Sequence, residues 1–291
     1  MSVPSLVGSA QGLLASFPSP PTDRLELGPL TFRFYGLMIA LGVLAAVEMG
    51  RRRWEERGGA ADDMVELAKW VVPAGLVGTR IYHVITDWKS YQGRWLDAFK
   101  IWEGGLGIPG GLLLGTIVGV WYARRRDWDI DTLATAVIPG IPVAQAIGRL
   151  GNWFNQEIFG PPTNLFWGVR IDEQFRPAEH ISEPAFHPTF LYEALWNLGL
   201  AWALIWADGR KLLKPGQMIP LWIFGYGVGR FVVEAVRRDD ASLILGIRVN
   251  HWVSGVAVVG GLIWLWLAGK RATPAPAPAA VSTGDPDEEA H

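Results

Sequence analysis

The stretch VNHWVSGVAVVGGLIWLWLA, residues 249–268, decides the class of fold, because it runs for 20 residues without Asp, Glu, Lys or Arg. A helix of about 20 mostly apolar residues is what the hydrocarbon core of a bilayer requires. Six further stretches of similar length and character precede it. They lie near 30–49, 65–86, 105–123, 131–150, 188–207 and 217–236. The sequence therefore predicts an all-α polytopic membrane protein with seven transmembrane helices.

The composition agrees with a membrane protein and excludes several kinds of chemistry. Of the 291 residues, 50% are apolar, 19% are charged and 16 are Trp. The absence of Cys excludes disulfides, thiolate metal sites, iron–sulfur clusters and a cysteine nucleophile. The net charge of −2 provides no basic surplus, so we expect no nucleic-acid partner.

The basic residues beside the spans predict the orientation of the chain in the membrane. Alternate loops place 12 Lys and Arg close to span ends, whereas the opposite side carries nine over longer segments. The positive-inside rule then puts the N-terminus outside and the C-terminus in the cytoplasm. We expect an extracytoplasmic arm at 1–29, a seven-span membrane domain at 30–268 and a disordered cytoplasmic tail at 269–291. A proline-containing segment at about 151–186 predicts a small extracytoplasmic cap between spans four and five.

Ionisable residues near the spans are the first candidates for function, because a charge at bilayer depth is costly and usually faces a cavity. Glu48 and Lys69 lie near the cytoplasmic boundary, where their side chains can snorkel to the headgroups. Arg230 lies well inside the sixth span and indicates a functional site. The alternative is a structural ion pair with Glu234, one helical turn later. The other charged residues of this set are Arg33, Arg80, Arg149 and Glu193.

The densest polar block is GRLGNWFNQEIFG, residues 148–160, where span four is expected to leave the membrane on the outer side. An Arg with side-chain amides in a partly dry pocket suits a phosphate or carboxylate, because the guanidinium forks two N–H donors. Glu157 could orient the Arg or accept a proton. A second block, HPTFLYE at 187–193, opens span five on the same side. There Thr189 is expected to cap the helix, and His187 is either a structural residue or a catalyst.

These blocks resemble the bacterial prolipoprotein diacylglyceryl transferases over roughly residues 30–268. The block at 148–160 is similar to the family's signature. The supporting motifs occur in the family's order and spacing, and they are FYGLM (34–38), GTRIYHV (78–84), WEGGLGIPGG (102–111), HPTFLYE (187–193) and GYGVGRFVVE (225–234).

The resemblance implies a reaction in the bacterial cytoplasmic (inner) membrane. The family transfers the sn-1,2-diacylglyceryl group of phosphatidylglycerol to the lipobox cysteine of a preprolipoprotein signal peptide. The products are a thioether and glycerol 1-phosphate, and neither a metal nor an organic cofactor takes part. A free thiol has a pKa of about 8.5, so a base or a positive field must help to form the thiolate.

The matching positions imply the site residues. Catalytic roles are implied for Arg149, Arg230, Tyr35, Glu157 and His187. Contacts to phosphatidylglycerol are implied for Arg149, Asn152, Asn155, Gly160, Tyr226 and Arg230.

One position departs from the family pattern. Many members have a His where this chain has Pro109, and that His is a favoured candidate for the base that deprotonates the thiol. Three explanations remain open: the arginines alone could lower the thiol pKa, the chain could be inactive, or another residue could supply the base. Candidates for such a base are His83, His187, Tyr35 and Glu103.

Two other classes of function compete with the transferase. A transporter for an anionic solute would line its path with Arg149 and Arg230, but it predicts internal repeats, and none is convincing here. A structural lipid-binding protein would account for the arginines without the polar block beside them.

Overall fold

The structure is a computed structural model that describes residues 16–28, 30–100, 104–105, 107–237 and 243–271. Within these ranges, eight α-helices form most of the fold. They are α1 (Phe34–Glu55), α2 (Ala61–Thr86), α3 (Ile108–Arg125), α4 (Ile130–Val137), α5 (Gly140–Phe154), α6 (Thr189–Gly209), α7 (Met218–Val236) and α8 (Val249–Arg271).

Five helical segments of the described chain are long and apolar enough to cross a membrane, which makes this a mostly helical, multi-pass membrane protein. The segments are Phe34–Glu55, Ile130–Phe154, Thr189–Gly209, Met218–Val236 and Val249–Lys270. They coincide with predicted spans one, four, five, six and seven. The second and third predicted spans are the helices α2 and α3, which are not in this set. Helix α2 contains Lys69 and Arg80, and α3 has 18 residues, of which the last two are Arg.

Helices α2 and α3 pack closely through glycines. A Cβ on either Gly78 or Gly110 would collide with the carbonyl oxygen of the other. A Cβ on Gly111 would lie 2.5 Å from Thr79 Cγ2, and one on Gly115 would lie 3.6 Å from Val71. The small-residue face of α3 therefore packs against α2, as such patterns do between helices in lipid.

The fourth predicted span consists of two helices rather than one. Helix α4 ends at Val137, and α5 begins at Gly140 after Pro139. Pro139 cannot donate a backbone hydrogen bond. Pro142 lies in the first turn of α5, where a backbone N–H would have no acceptor within the helix, so its absence costs no hydrogen bond. The two prolines therefore interrupt the span and then fit the start of the next helix.

The fold is mostly helical, but it also contains short strands that the prediction of an all-α fold did not include. The strands are β1 (Phe17–Pro18), β2 (Arg24–Leu27), β3 (Leu30–Arg33), β4 (Val169–Arg170), β5 (Ala185–Phe186), β6 (Leu243–Ile244) and β7 (Ile247–Arg248). They form a β1-β4-β5 sheet and two hairpins, β2-β3 and β6-β7. The first predicted span therefore starts four residues late as a helix, because 30–33 pair with 24–27 across a turn at Gly28, where φ is +62°.

The segment between α5 and α6 lies at the end of the bundle where α6 begins. Its strands β4 and β5 pair with each other in antiparallel orientation, and β4 also pairs in parallel with β1. Val169, Ile171, Phe186 and Phe190 form a buried apolar cluster beneath them. Part of the predicted N-terminal arm thus belongs to this sheet, whereas residues 1–15 and the predicted tail from 272 onward lie outside the described residues.

The opposite end of the bundle carries a repeated pairing of Trp with a cation four residues later. The cation lies over the indole ring at 5.1 Å for Arg125 and Trp121, 6.0 Å for Arg210 and Trp206, and 3.5 Å for Lys270 and Trp266. At this end Asp208, next to the end of α6, binds Arg53 of α1 at 2.7 Å and also Arg57. Lys214, after α6, donates to the carbonyl of Gly269 in α8. These contacts bring the C-terminal ends of α1, α6 and α8 together.

Candidate active site

Glu193 is the centre of the candidate site. It lies near the start of α6, and only 7% of its side chain is exposed. Arg149 of α5 binds one carboxylate oxygen, with Nη2 2.5 Å from Oε2. Arg230 of α7 binds the other, with Nη1 2.8 Å from Oε1, and Arg237 Nη1 lies 3.6 Å from the same oxygen. One carboxylate therefore joins arginines from two further helices.

Glu234 extends this network toward α8. Its carboxylate is buried and binds Arg230 Nη2 at 2.9 Å and Arg248 Nε at 3.0 Å. Asn250 Nδ2 also lies 3.3 Å from both carboxylate oxygens. The predicted pair between Arg230 and Glu234 is thus confirmed. Because Arg230 also binds Glu193, the pair belongs to a larger network and is not an isolated structural contact.

The polar side chains of the 148–160 block reach the same network. Arg149 Nη1 donates to Asn152 Oδ1 at 3.2 Å. Asn152 and Asn155 both donate to Glu157 Oε1, at 2.8 and 3.0 Å. The block can do this because α5 ends at Phe154 and Gln156 adopts a left-handed φ of 52°. The chain then turns back, so that Glu157 faces the last turn of the helix.

The end of the block is fixed to the start of α6. Gly160 N–H donates to the His187 carbonyl at 2.8 Å, and a Cβ at Gly160 would lie 3.0 Å from His187 Cβ. Thr189 Oγ1 donates to the Ile158 carbonyl at 2.7 Å. The expectation that Thr189 caps α6 is therefore wrong, because its hydroxyl bonds across to the block. Both contacts position α6, and hence Glu193, against α5.

His187 and Tyr35 occupy different surroundings. The His187 Nδ1 shares a hydrogen bond of 2.9 Å with Tyr192 Oη, which also accepts from Trp167 Nε1. Among the described residues, the side-chain hydrogen bond of His187 is therefore to Tyr192 and not to an arginine of the network. Tyr35, in the first turn of α1, packs on Gly151, where an added Cβ would lie 2.7 Å from its ring. Gly151 therefore lets the phenol approach α5 between Arg149 and the end of the helix.

Tyr226 lines a small cavity next to the arginines. Glu193, Asn197 and Arg230 also line it, and its volume is ≈ 10 Å³. Within the described ranges, no group of three or more His, Asp or Glu side chains is arranged to hold a metal ion.

The candidate bases are spread over the structure. His83 of α2 lies beside Arg80 and packs edge-on against Tyr91, with ring centroids 6.0 Å apart. Arg80 is buried and donates to the carbonyls of Ala98 at 2.7 Å and Gly104 at 2.5 Å. It thereby fixes both ends of the loop that carries Glu103, which itself lies outside the described residues. Pro109 occupies the first turn of α3, where a proline is well tolerated.

Sequence reasoning assigned no role to the side chain that holds the site together. Glu193 stood among the charged residues near the spans, and its place in the HPTFLYE motif was the available signal. Arg237, Arg248 and Asn250 were also missed, because they lie at or beyond span ends, where polar residues are ordinary.

Among the described residues, four guanidinium groups face three carboxylates in this network: Arg149, Arg230, Arg237 and Arg248 against Glu157, Glu193 and Glu234. Arg149 and Arg230 each reach this network from the interior of a helix, and guanidinium groups suit a phosphate or carboxylate because they fork two N–H donors. The fold and the site together define a multi-pass membrane protein with a largely buried cluster of arginines and glutamates.

Comparisons with known proteins identify the family within this class. Residues 23–267 match the model of the prolipoprotein diacylglyceryl transferase family, and the chain belongs to that family. It is 47% identical over 261 residues to the phosphatidylglycerol–prolipoprotein diacylglyceryl transferase of Streptomyces griseus, covering 88% of this chain and 79% of that protein. It is 44% identical over 278 residues to the enzyme of the same name from Rhodococcus jostii, covering 90% and 77%.

Proposed function

We propose that this protein is a phosphatidylglycerol–prolipoprotein diacylglyceryl transferase, which performs the first step of lipoprotein maturation. Family membership and relatives of that name over most of the chain support the activity. The observation that carries the mechanism is the convergence of Arg149 and Arg230 on Glu193. The two guanidinium groups can donate bidentate hydrogen bonds to a phosphodiester.

In the proposed reaction the thiolate of a lipobox cysteine attacks the glyceryl carbon next to the phosphate. A carbon–sulfur bond forms as the carbon–oxygen bond breaks, the thiol proton goes to a base, and glycerol 1-phosphate leaves with the bonding electrons. Charge gathers on the departing phosphate, so preorganised donors aimed at it lower the barrier. Arg149 and Arg230 supply those donors, and Glu193 holds both guanidiniums in place before the lipid arrives.

The neighbouring residues take supporting roles in this proposal. Asn152 and Asn155 fix Glu157, which orders the basic groups or the glycerol head. Tyr226 faces the lipid from beside Arg230. Gly160 provides the close approach of the block to α6.

The base for the thiol stays open between two mechanisms. Either Tyr35, His83, His187 or Glu103 accepts the proton, or the positive field of the arginines alone lowers the thiol pKa without a dedicated base. The position of Tyr35 against Gly151, next to the arginine network, favours it over His187, whose ring is bonded to Tyr192. No metal or organic cofactor enters either mechanism.

The proposed topology has seven spans, with α2 and α3 as the second and third. Support comes from their glycine-mediated pairing and from the exposed apolar side chains on both, such as Val77 and Leu113. In this topology the arginine cluster lies within the bundle toward the outer face of the bacterial cytoplasmic membrane. The segment 151–186 lies outside the membrane as a cap, together with the arm at 1–29. The Trp–cation pairs and the tail at 269–291 lie on the cytoplasmic side.

A transfer assay tests the activity. Purified protein in detergent is incubated with phosphatidylglycerol, EDTA and a lipobox peptide or its Cys→Ser control, and the peptides are weighed by mass spectrometry. We expect a diacylglyceryl mass gain on the cysteine peptide alone. Folded protein that binds the lipid without any transfer would instead support the lipid-binding or transport alternative.

The arginine roles have their own test. Arg149→Lys and Arg230→Lys keep the charge but lose the bidentate fork, so each should lower kcat/KM by about 10²-fold or more. Arg53→Lys is the matched control, because Arg53 is also buried against a carboxylate, Asp208, at the opposite end. Near-normal turnover in either cluster variant would contradict the proposed phosphate contact.

A further inference from the structure

A layer of uncharged polar side chains lies one helical turn from the arginine network, deeper in the bundle. It consists of Gln145 on α5, Asn197 on α6 and Tyr226 on α7. Each is four residues along its helix from a member of the network: Gln145 from Arg149, Asn197 from Glu193, and Tyr226 from Arg230. Side chains four apart on a helix share one face, about one turn apart. The three helices therefore present the same sequence of layers, charged first and then polar.

Two atoms of this layer have no hydrogen-bond partner in the described part of the chain. They are Asn197 Oδ1 and Gln145 Oε1, and both are buried. Asn197 as a whole is only 4% exposed. An unpaired carbonyl oxygen inside a membrane protein is costly, because neither water nor lipid tails satisfy it. Both atoms are acceptors, so a ligand that hydrogen-bonds to them must supply a donor.

The cavity described above connects this layer to the network. Asn197 and Tyr226 line it together with Glu193 and Arg230. At ≈ 10 Å³ it has room for about one hydroxyl group or one water. Below it the bundle is closed by a buried apolar cluster that includes Ile138, Leu204 and Met218, with Trp222 packed against it. The charged residues that line the cavity are Glu193 and Arg230, both members of the network.

We propose that Asn197 and Gln145 bind a hydroxyl of the glycerol headgroup of phosphatidylglycerol and thereby select this lipid; this rests on the function proposed above. The phosphate and the ester groups of the lipid only accept hydrogen bonds. The headgroup hydroxyls are its only donors, and they lie within a few bonds of the phosphate held by Arg149 and Arg230. A bound water is the other source of a hydroxyl, and the experiment separates the two.

The test compares two lipids of equal charge. Phosphatidylpropanol keeps the phosphodiester and the acyl chains but lacks both headgroup hydroxyls. The kcat/KM for transfer to the lipobox peptide is measured for each lipid with the wild type, Asn197→Leu and Gln145→Met. Gln217→Met is the matched control, because that amide at the start of α7 is hydrogen-bonded through both its oxygen and its nitrogen, to Lys214 and Leu265.

We expect the wild type to prefer phosphatidylglycerol by about tenfold or more, the factor that corresponds to about 1.4 kcal/mol. Asn197→Leu and Gln145→Met should bring the ratio of the two kcat/KM values close to one, and Gln217→Met should leave it unchanged. Equal loss on both lipids would mean that the layer holds a water, and it would overturn the inference. So would a wild type that uses both lipids equally.

Failure of the inference is distinct from failure of the proposed function. A wild type that transfers neither lipid contradicts the transferase activity itself. If Asn197→Leu does not fold, Gln145→Met still decides the question, because Met keeps the length and helix propensity of Gln.

Discussion

Neutralising Glu193 should destabilise the fold more than neutralising any exposed carboxylate that makes similar contacts. Glu193→Gln keeps the shape of the side chain and removes its charge. Arg149 and Arg230 then lose a partner in a site where only 7% of the Glu193 side chain is exposed. Removing one partner of a buried ion pair costs about 3 kcal/mol or more, because the remaining charge is left uncompensated.

The chain offers a matched control in Glu48. This carboxylate also bridges two arginines, Arg51 at 2.8 Å and Arg52 at 2.6 Å, but 44% of its side chain is exposed. Solvent screens such pairs, so Glu48→Gln should destabilise the fold far less than Glu193→Gln. The two substitutions make the same chemical change and differ mainly in burial.

Thermal unfolding of the purified variants in detergent, with and without phosphatidylglycerol, measures the difference. At about 2–4 °C per kcal/mol, Glu193→Gln should lower the Tm by on the order of 6–12 °C. Added phosphatidylglycerol should raise the Tm of Glu193→Gln more than that of the wild type, because the substitution removes one negative charge from beside Arg149 and Arg230 and so favours the binding of an anion there. A Tm equal to that of Glu48→Gln would refute the central role of Glu193, and equal rescue by lipid would refute the charge argument.

Three further outcomes are expected. Asp208→Asn should weaken the ion pairs with Arg53 and Arg57 and so lower the Tm measured in detergent, while the KM for phosphatidylglycerol stays unchanged. A raised KM would contradict a purely structural role. Arg80→Lys should increase the rate of limited proteolysis between 97 and 105, because an ammonium cannot donate to all the carbonyls that the guanidinium reaches. Pro109→His should keep transfer activity in the peptide assay if another group already serves the thiol, whereas complete loss would show that Pro109 shapes the site.

The positions of the helices could be read from the sequence where a long apolar run decides the structure. Spans five, six and seven were predicted at 188–207, 217–236 and 249–268, and α6, α7 and α8 begin within one residue of those starts. The end of span six coincides with the end of α7 at Val236, whereas α6 and α8 continue two and three residues past the predicted ends, since a helix can continue past the apolar run. Hydropathy did not predict the break at Pro139 or the hairpin at 24–33, because it carries no information on the hydrogen-bonding pattern or the direction of the backbone.

The candidate site was predictable as a set of residues but not as an arrangement. Arg149, Arg230 and the amides of the 148–160 block are unusual for a membrane protein, so each stands out individually. Glu193 becomes their common partner only once α5, α6 and α7 pack, and no spacing along the chain encodes that contact. The unpaired oxygen of Asn197 is likewise visible only in three dimensions.

The three Trp–cation pairs have a consequence for the enzyme in membranes of different thickness. In the proposed topology they lie at one end of α3, α6 and α8, where aromatic and cationic side chains would anchor that end of the bundle at the headgroups. Any mismatch between helix length and bilayer thickness is then taken up at the other end, where the arginine cluster lies. A thicker bilayer would draw the cluster toward the acyl chains and a thinner one would lift it into the headgroups, so the depth at which the enzyme meets its lipid is set from the far side of the membrane.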